Sequence, residues 1–240
     1  MTKDCEFLIN TAKQAAEIIT DDFIVKAKGD KGDLVTNFDT EVEQFIINKI
    51  KNAYPAFSVV SEELNSDKPL ADNCFVIDPI DGTVNFAHHI PLWGIMIACV
   101  KAGKTVAAVI FMPKLNELYY ADKTGAYLND KKISVSSLPV EKSIYSLEGR
   151  GLKPLREAMK KYSKHPRALG NACSPFSWVA AGRMEGMVLA YDTVWDYLPG
   201  QYIVKQAGGF IYNAPGLHIA ANSKELLKVF KKEAEQTIKS

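Results

Sequence analysis

Val76-Ile77-Asp78-Pro79-Ile80-Asp81-Gly82-Thr83 decides how this chain is read. An apolar run stops at two carboxylates three positions apart, and a Gly-Thr turn comes at once after them. Hard divalent cations take anionic oxygens held in a fixed geometry. Phosphate takes backbone N–H groups that no side chain blocks, as at the start of a helix. One turn of chain offers both, which points to metal-assisted chemistry on a phosphate ester. Asp-Pro and Asp-Gly are also ordinary surface-turn dipeptides, so the pattern needs support from the rest of the chain.

The other acids give that support. Asp39 follows Asp33-Leu34-Val35-Thr36, Glu62 and Glu63 follow the strand-like run Phe57–Val60, and Asp196 follows Trp195 at a predicted helix start. Each stands where an apolar segment meets a turn or a helix, and ligands of open α/β sheets gather at strand ends. Converging carboxylates raise one another's pKa, and a cation relieves the conflict. Oxygen donors without a His or Cys cluster favour Mg2+ over Zn2+.

The bulk properties agree. The 240 residues suit one large domain or two closely packed halves. Basic and acidic residues number 29 and 28, for a net charge of +1, so charge gives no case for nucleic-acid binding. No apolar run reaches the ~18–20 residues of a membrane span. Cys5, Cys74, Cys99 and Cys173 are scattered without a CxxC pair, as expected of free thiols in a reducing compartment. Met1–Glu6 carries no apolar signal-peptide core, and a cytoplasmic location is the expectation.

Apolar spacing predicts a helix over 4–25, broken at 26–33, and a second helix opened by Asp39, where the acid could also serve as a helix-start residue. Strands are predicted at 57–60 and 74–78. A meander of strands comes next, over 94–101, 105–112, 117–121, 126–128 and 131–135. Strands at 143–148, 166–169, 186–191 and 209–213 then alternate with helices at 152–162, 174–182, 196–207 and 223–236. This order predicts a layered α/β or α+β architecture. It divides into an N-terminal half, residues 1–140, and a C-terminal half, residues 141–240, packed as one compact unit.

Asp78-Pro-Ile-Asp-Gly-Thr83, continued by Asn85-Phe86 and Pro91, resembles the signature of the inositol monophosphatase family of Mg2+-dependent, lithium-sensitive sugar phosphatases. Asp33-Leu-Val-Thr-Asn-Phe-Asp39 resembles its first acidic motif. Ser61-Glu62-Glu63 resembles its Gly-Glu-Glu element, with Ser in place of Gly. Trp195-Asp196 with Gln206-Ala-Gly-Gly209 resembles its C-terminal motif. The resemblance covers nearly the whole chain and implies an alternating α-β-α-β-α sandwich.

It also implies roles. Glu62, Asp78 and the carbonyl of Ile80 would hold one Mg2+, and Asp78, Asp81 and Asp196 a second, with a third ion reached from Glu62 through water. Gly82 and Thr83 would face the phosphate, and Asp39, Thr83 and Glu62 would serve the attacking water. Gly170, Asn171 and Ala172 would lie beside the substrate ring with Asp196. Lys28 would add charge on the phosphate side, with Lys26 and Lys31 as competitors for that place. The implied partner is a small phosphorylated metabolite, and the implied assembly a homodimer. Family members acting on inositol often carry a Glu seven residues before the acid of the Trp-Asp pair. That position is Leu189 here, and Asp192 is the nearest acid.

Inositol monophosphate or a related sugar phosphate is therefore the expected substrate, hydrolysed without a covalent intermediate. Fructose 1,6-bisphosphate, histidinol phosphate and 3′-phosphoadenosine nucleotides are the alternatives within the family. The Asp-x-Asp-Gly-Thr motif of haloacid dehalogenase phosphatases, whose first Asp is a nucleophile, looks similar but spaces its acids one residue closer. An idle metal- and phosphate-binding module is the alternative outside enzymes. His88 and His89 are expected in a loop, Trp93 and Trp178 in the core.

Overall fold

The structure, a computed structural model, describes residues 1–28 and 33–237. In chain order the elements are α1 (Lys3–Ala16), β1 (Val25–Lys28), β2 (Asp33–Thr36), α2 (Asn37–Ala53), β3 (Ser58–Ser61), β4 (Cys74–Asp81), α3 (Thr83–Ala87), β5 (Gly94–Lys101), β6 (Lys104–Met112), β7 (Glu117–Asp122), β8 (Gly125–Leu128) and β9 (Lys131–Ile133). The chain continues with β10 (Ile144–Gly149), α4 (Lys153–Met159), β11 (His165–Arg167), α5 (Cys173–Ala180), β12 (Gly186–Ala190), α6 (Val194–Gln206), β13 (Phe210–Ala214), β14 (Leu217–Ala221) and α7 (Lys224–Thr237).

Two large sheets organise the molecule. The first runs β3-β4-β5-β6-β7-β8-β9, and the second β11-β10-β12-β14-β13. Successive strand residues face opposite sides of a sheet, and both sides are apolar here. Phe75, Ile77, Ile97 and Val109 pack on α1 and α2 through Leu8, Val42, Ile46 and Ile50. Val76, Met96, Ala98 and Ile110 face the other way, onto Phe176 and Val179 of α5 and Ile203 and Val204 of α6. Met187, Leu189 and Ala220 of the second sheet close on the same pair of helices. Its far side, with Val188 and Ile219, is covered by Leu155 of α4 and Phe230 of α7. The layers therefore run α-β-α-β-α, and the α/β sandwich expected from the sequence is the one observed. Among the described residues no helix is long and apolar enough to cross a membrane, and all four cysteines are free and buried.

The meander matches the predicted strands to within a residue or two. Two regions differ. The first helix stops at Ala16, where Thr20, Asp21 and Asp22 come soon after with side chains that compete for backbone hydrogen bonds, and the chain then turns into the β1–β2 hairpin. Leu217–Ala221, unassigned by periodicity, is a strand inserted between β12 and β13 and antiparallel to both. Every residue of it is buried, so no alternation marks it.

The middle helical layer is tight. A Cβ added at Gly200 of α6 would lie 2.4 Å from Cγ of Phe176 on α5. Glycine is what lets the two helices meet at this point. Gly200→Ala is expected to cost about 1–3 kcal/mol through overpacking, read from urea unfolding. A loss below about 0.5 kcal/mol would show that the helices have room to spread.

Candidate active site

In a regular strand, residues three apart face opposite sides. Asp78 and Asp81 escape this rule. The β4–β5 register pairs Asp78 with Met96 and Asp81 with Gly94, so a bulge lies between them. An extra residue bends the strand and re-aims the side chains beyond it. Pro79, with no N–H to give to a ladder, falls inside the irregular stretch. Gly82 then takes a φ of +87°, and a Cβ there would lie 3.0 Å from both Leu92 O and Asn171 Cβ. This position therefore requires glycine.

The outcome is a cluster. Ligand oxygens of Asp78, Asp81 and Asp196 lie within 4.8 Å of one another, with the residues only 1%, 4% and 9% exposed. They line a pocket of about 320 Å³ with Glu62, Ile80, Gly82, Thr83, Gly170 and Asn171. A larger groove of about 620 Å³ beside α1, near Phe111 and Asn129, contains none of these acids.

Each acid is fixed by a helix start or a turn. Both oxygens of Asp81 accept the Ala172 N–H, at 3.0 and 2.9 Å, and one also accepts the Cys173 N–H, so Asp81 caps α5. Asp196 stands in the first turn of α6 and accepts the Thr193 hydroxyl. Asp78 Oδ1 accepts the Ile80 N–H at 3.1 Å. Asp39, fully buried, accepts from Thr36 N at 2.7 Å and Thr36 Oγ1 at 2.6 Å, closing the start of α2. Its other oxygen lies 2.9 Å from Thr83 Oγ1, which is also 3.0 Å from the Ile80 carbonyl. The helix-start role and the site role of Asp39 are thus filled by one carboxylate.

Glu62 lines the pocket but stands outside the tight triple. Lys28 Nζ bonds Glu62 Oε1 at 2.9 Å and also bonds Glu63, which places Lys28 at the site. Lys26 is exposed on β1, and Lys31 lies outside the described residues. Ala172 is buried and does not line the pocket; its N–H is spent on Asp81. Asn171 shares the wall, but its side chain is tied to Leu92 O, Leu169 O and the Ser174 N–H. Leu189 is fully buried. Asp192 turns to His218 and the Gly216 N–H. His89 packs on Phe23 and Trp93 on Phe86.

The electrostatics stem from crowding. Burial, then the charges of Glu62, Asp81 and Asp196, hold the Asp78 carboxyl well above the usual carboxylate range. Burial, then Asp81 and Glu62, do the same for Asp196. Burial raises Asp81, opposed by hydrogen bonds from Cys173 and Ala172. Burial pushes Glu62 up to about 7 against the pull of Lys28.

Two further acids, Glu43 and Glu148, escaped the sequence reading. Glu43 of α2 accepts the Ser61 hydroxyl at 2.6 Å and the N–H groups of Glu63 and Leu64 at 2.8 and 2.7 Å. It therefore holds the turn that presents Glu62, and Ser61 supplies one of its bonds. The signal was an acid within the apolar stripe Val42, Ile46, Ile50. Glu148, at the end of β10, accepts from Leu169 N and Gly170 N and fixes the opposite wall.

Two outcomes are expected. Glu43→Ala leaves the N–H groups of Glu63 and Leu64 and the Ser61 hydroxyl without their carboxylate and should cost about 1–3 kcal/mol. It should also weaken metal binding in a Mg2+ titration; unchanged unfolding would remove Glu43 from this role. The second concerns pH. Folded Glu62 keeps its proton up to about 7, whereas an ordinary glutamate loses it near 4.5. Between those values the native state binds more protons, so the metal-free protein loses stability as pH rises through the window. The melting temperature of chelator-treated protein should be lower at about pH 8 than at about pH 5, and Mg2+ should narrow the gap. A metal-free melting temperature that rises across this window would contradict the electrostatics.

The sequence profile of the Inositol monophosphatase family matches residues 1–239. A fructose-1,6-bisphosphatase/inositol-1-monophosphatase of Thermotoga maritima is 34% identical over 214 residues, covering 86% of this chain and 81% of that protein. An inositol-1-monophosphatase of Mesorhizobium japonicum is 31% identical over 227 residues, covering 87% and 85%. The crystal structure of the extragenic suppressor protein suhB from Bartonella henselae superposes with a TM-score of 0.85 at 27% identity, covering 97% of this chain and 98% of that one. The chain belongs to the inositol monophosphatase family and is a metal-dependent phosphoric monoester hydrolase.

Proposed function

We propose that this enzyme hydrolyses inositol monophosphate or a related sugar or polyol phosphate, using Mg2+ and water without a covalent intermediate. The carrying observation is the buried triple Asp78, Asp81 and Asp196. The donor set fits a hard divalent cation: carboxylates at the bulge, the Ile80 carbonyl beside them, and no histidine or cysteine ligand in the cluster. Asp78, Asp81 and Asp196 would hold one Mg2+, and Glu62, Asp78 and the Ile80 carbonyl another. The N-terminal half, residues 1–140, would thus bring most of the ligands, and the C-terminal half Asp196 and the wall facing the substrate. Bound Mg2+ supplies Lewis acidity toward the phosphoryl oxygens and lowers the pKa of water.

The chain's own groups would do the rest. Thr83 Oγ1 donates to Asp39 Oδ1, which leaves its lone pairs free to accept from a water. As that water attacks phosphorus and the ester P–O bond breaks, the water's proton passes to Thr83 Oγ1, the threonine proton passes to Asp39 Oδ1, and the departing alkoxide takes a proton from solvent water and leaves as the alcohol. Burial raises the Asp39 carboxyl above its ordinary value, in the direction a proton acceptor needs. Gly82 and Thr83, at the start of α3, would receive the phosphate, with Gly170 and Asn171 beside the alcohol. A bisphosphate is the second reading. It is supported by the Thermotoga relative, a fructose-1,6-bisphosphatase/inositol-1-monophosphatase.

Loss of an outer-shell partner typically costs 10–100-fold, so loss of a ligand should cost more than about a hundredfold. Asp196→Asn should lower Mg2+-dependent phosphate release by that factor with its circular dichroism spectrum retained. Near-normal turnover in a screen of sugar phosphates would overturn the assignment.

A further inference from the structure

Alternation along β12 puts Met187 and Leu189 on the side facing α5 and α6, and Val188 on the side facing α7. Tyr191, the first residue after the strand, continues the former series. It packs against the same apolar cluster and lines the carboxylate pocket. Its ring has a close floor: a Cβ at Gly149 would lie 3.2 Å from Tyr191 Cδ1. Gly149 also takes a φ of +114°, a conformation in which a side chain is strained. The seat for the ring is therefore built into the backbone.

The acceptors nearby are spent. Glu148 holds Leu169 N, Gly170 N and the Ser146 hydroxyl. Asp81 holds the start of α5, and Asp196 the Thr193 hydroxyl. Among the described residues nothing hydrogen-bonds the Tyr191 hydroxyl. This wall thus offers the substrate a rigidly seated phenol donor and no uncommitted carboxylate.

We propose that Tyr191 sets substrate preference by donating a hydrogen bond from its hydroxyl to an oxygen on the alcohol part of the substrate. It selects monoesters with a hydroxyl, ether or carbonyl oxygen next to the esterified carbon over those that lack one. A tyrosine phenol ordinarily loses its proton only near about pH 10, so the group is a donor throughout the neutral range. A polyol hydroxyl can accept this bond, and so can a sugar ring oxygen.

The inference rests on the phosphatase reading, and the test separates the two. The full chain and Tyr191→Phe are assayed with Mg2+ on inositol 1-phosphate, which has oxygens on both flanking carbons, and on p-nitrophenyl phosphate, which has none. The substitution keeps the ring on Gly149, and equal melting temperatures confirm the fold. The ratio of kcat/KM for the two esters should fall about fivefold, mainly through KM for the inositol ester, the size of one neutral hydrogen bond. An unchanged ratio, including equal losses on both esters, would overturn the role of Tyr191. Wild-type protein that releases phosphate from neither ester would overturn the phosphatase reading itself, and this assignment with it.

Discussion

Carboxylates that share a buried volume repel one another, and Asp78, Asp81 and Asp196 share one in which the nearby charge of Lys28 is paired with Glu62 and Glu63. In a low-dielectric site the charged form of each raises the energy of the others. A folded chain can keep such a group only by protonating it, by supplying a cation, or by surrounding it with oriented dipoles. This structure uses the third device extensively. Asp39 closes the start of α2, Asp81 caps α5, Asp196 occupies the first turn of α6, and Thr83 opens α3. Helix N-termini carry partial positive charge, and here they converge on one pocket. The remaining conflict is what a divalent ion relieves.

The sandwich serves to aim helix starts. The bulge at Pro79–Ile80 turns two acids of β4 to one side. The helices α5 and α6 then meet them from the middle layer, and α2 from the outer one. Holding a carboxylate through backbone N–H groups leaves little freedom of position. A hard divalent cation ligated by oxygens tolerates little.

Much of this was legible in the sequence, for a local reason. Asp78, Asp81, Asp39, Glu62 and Asp196 each sit where an apolar run gives way to turn chemistry, and both signals lie within a few residues. The meander was legible because its strands are separated by turn residues such as Gly103 and Asn129-Asp130. Three features were not legible. The bulge depends on how β4 pairs with β5, which no local window contains. Strand β14 is buried on both sides and carries His218 near its start, so neither alternation nor a clean apolar run marks it. Glu43 and Glu148 bond residues distant in sequence, and Tyr191 reaches the pocket only through packing. Glu43 alone left a trace, as an acid on an otherwise oily helix face.

The close approach of Gly200 to Phe176 joins α5 and α6 into a single slab between the sheets. On one side of that slab lie the bulged strand and its acids, and on the other the strand that leads into Tyr191. Asp78 and Asp81 are thus carried on one sheet and Tyr191 at a strand end of the other, with Asp196 on the slab between them. A slab of this kind holds the two ends of the pocket at a fixed spacing, so the wall at Tyr191 and the acids of the bulge keep their distance as the molecule fluctuates.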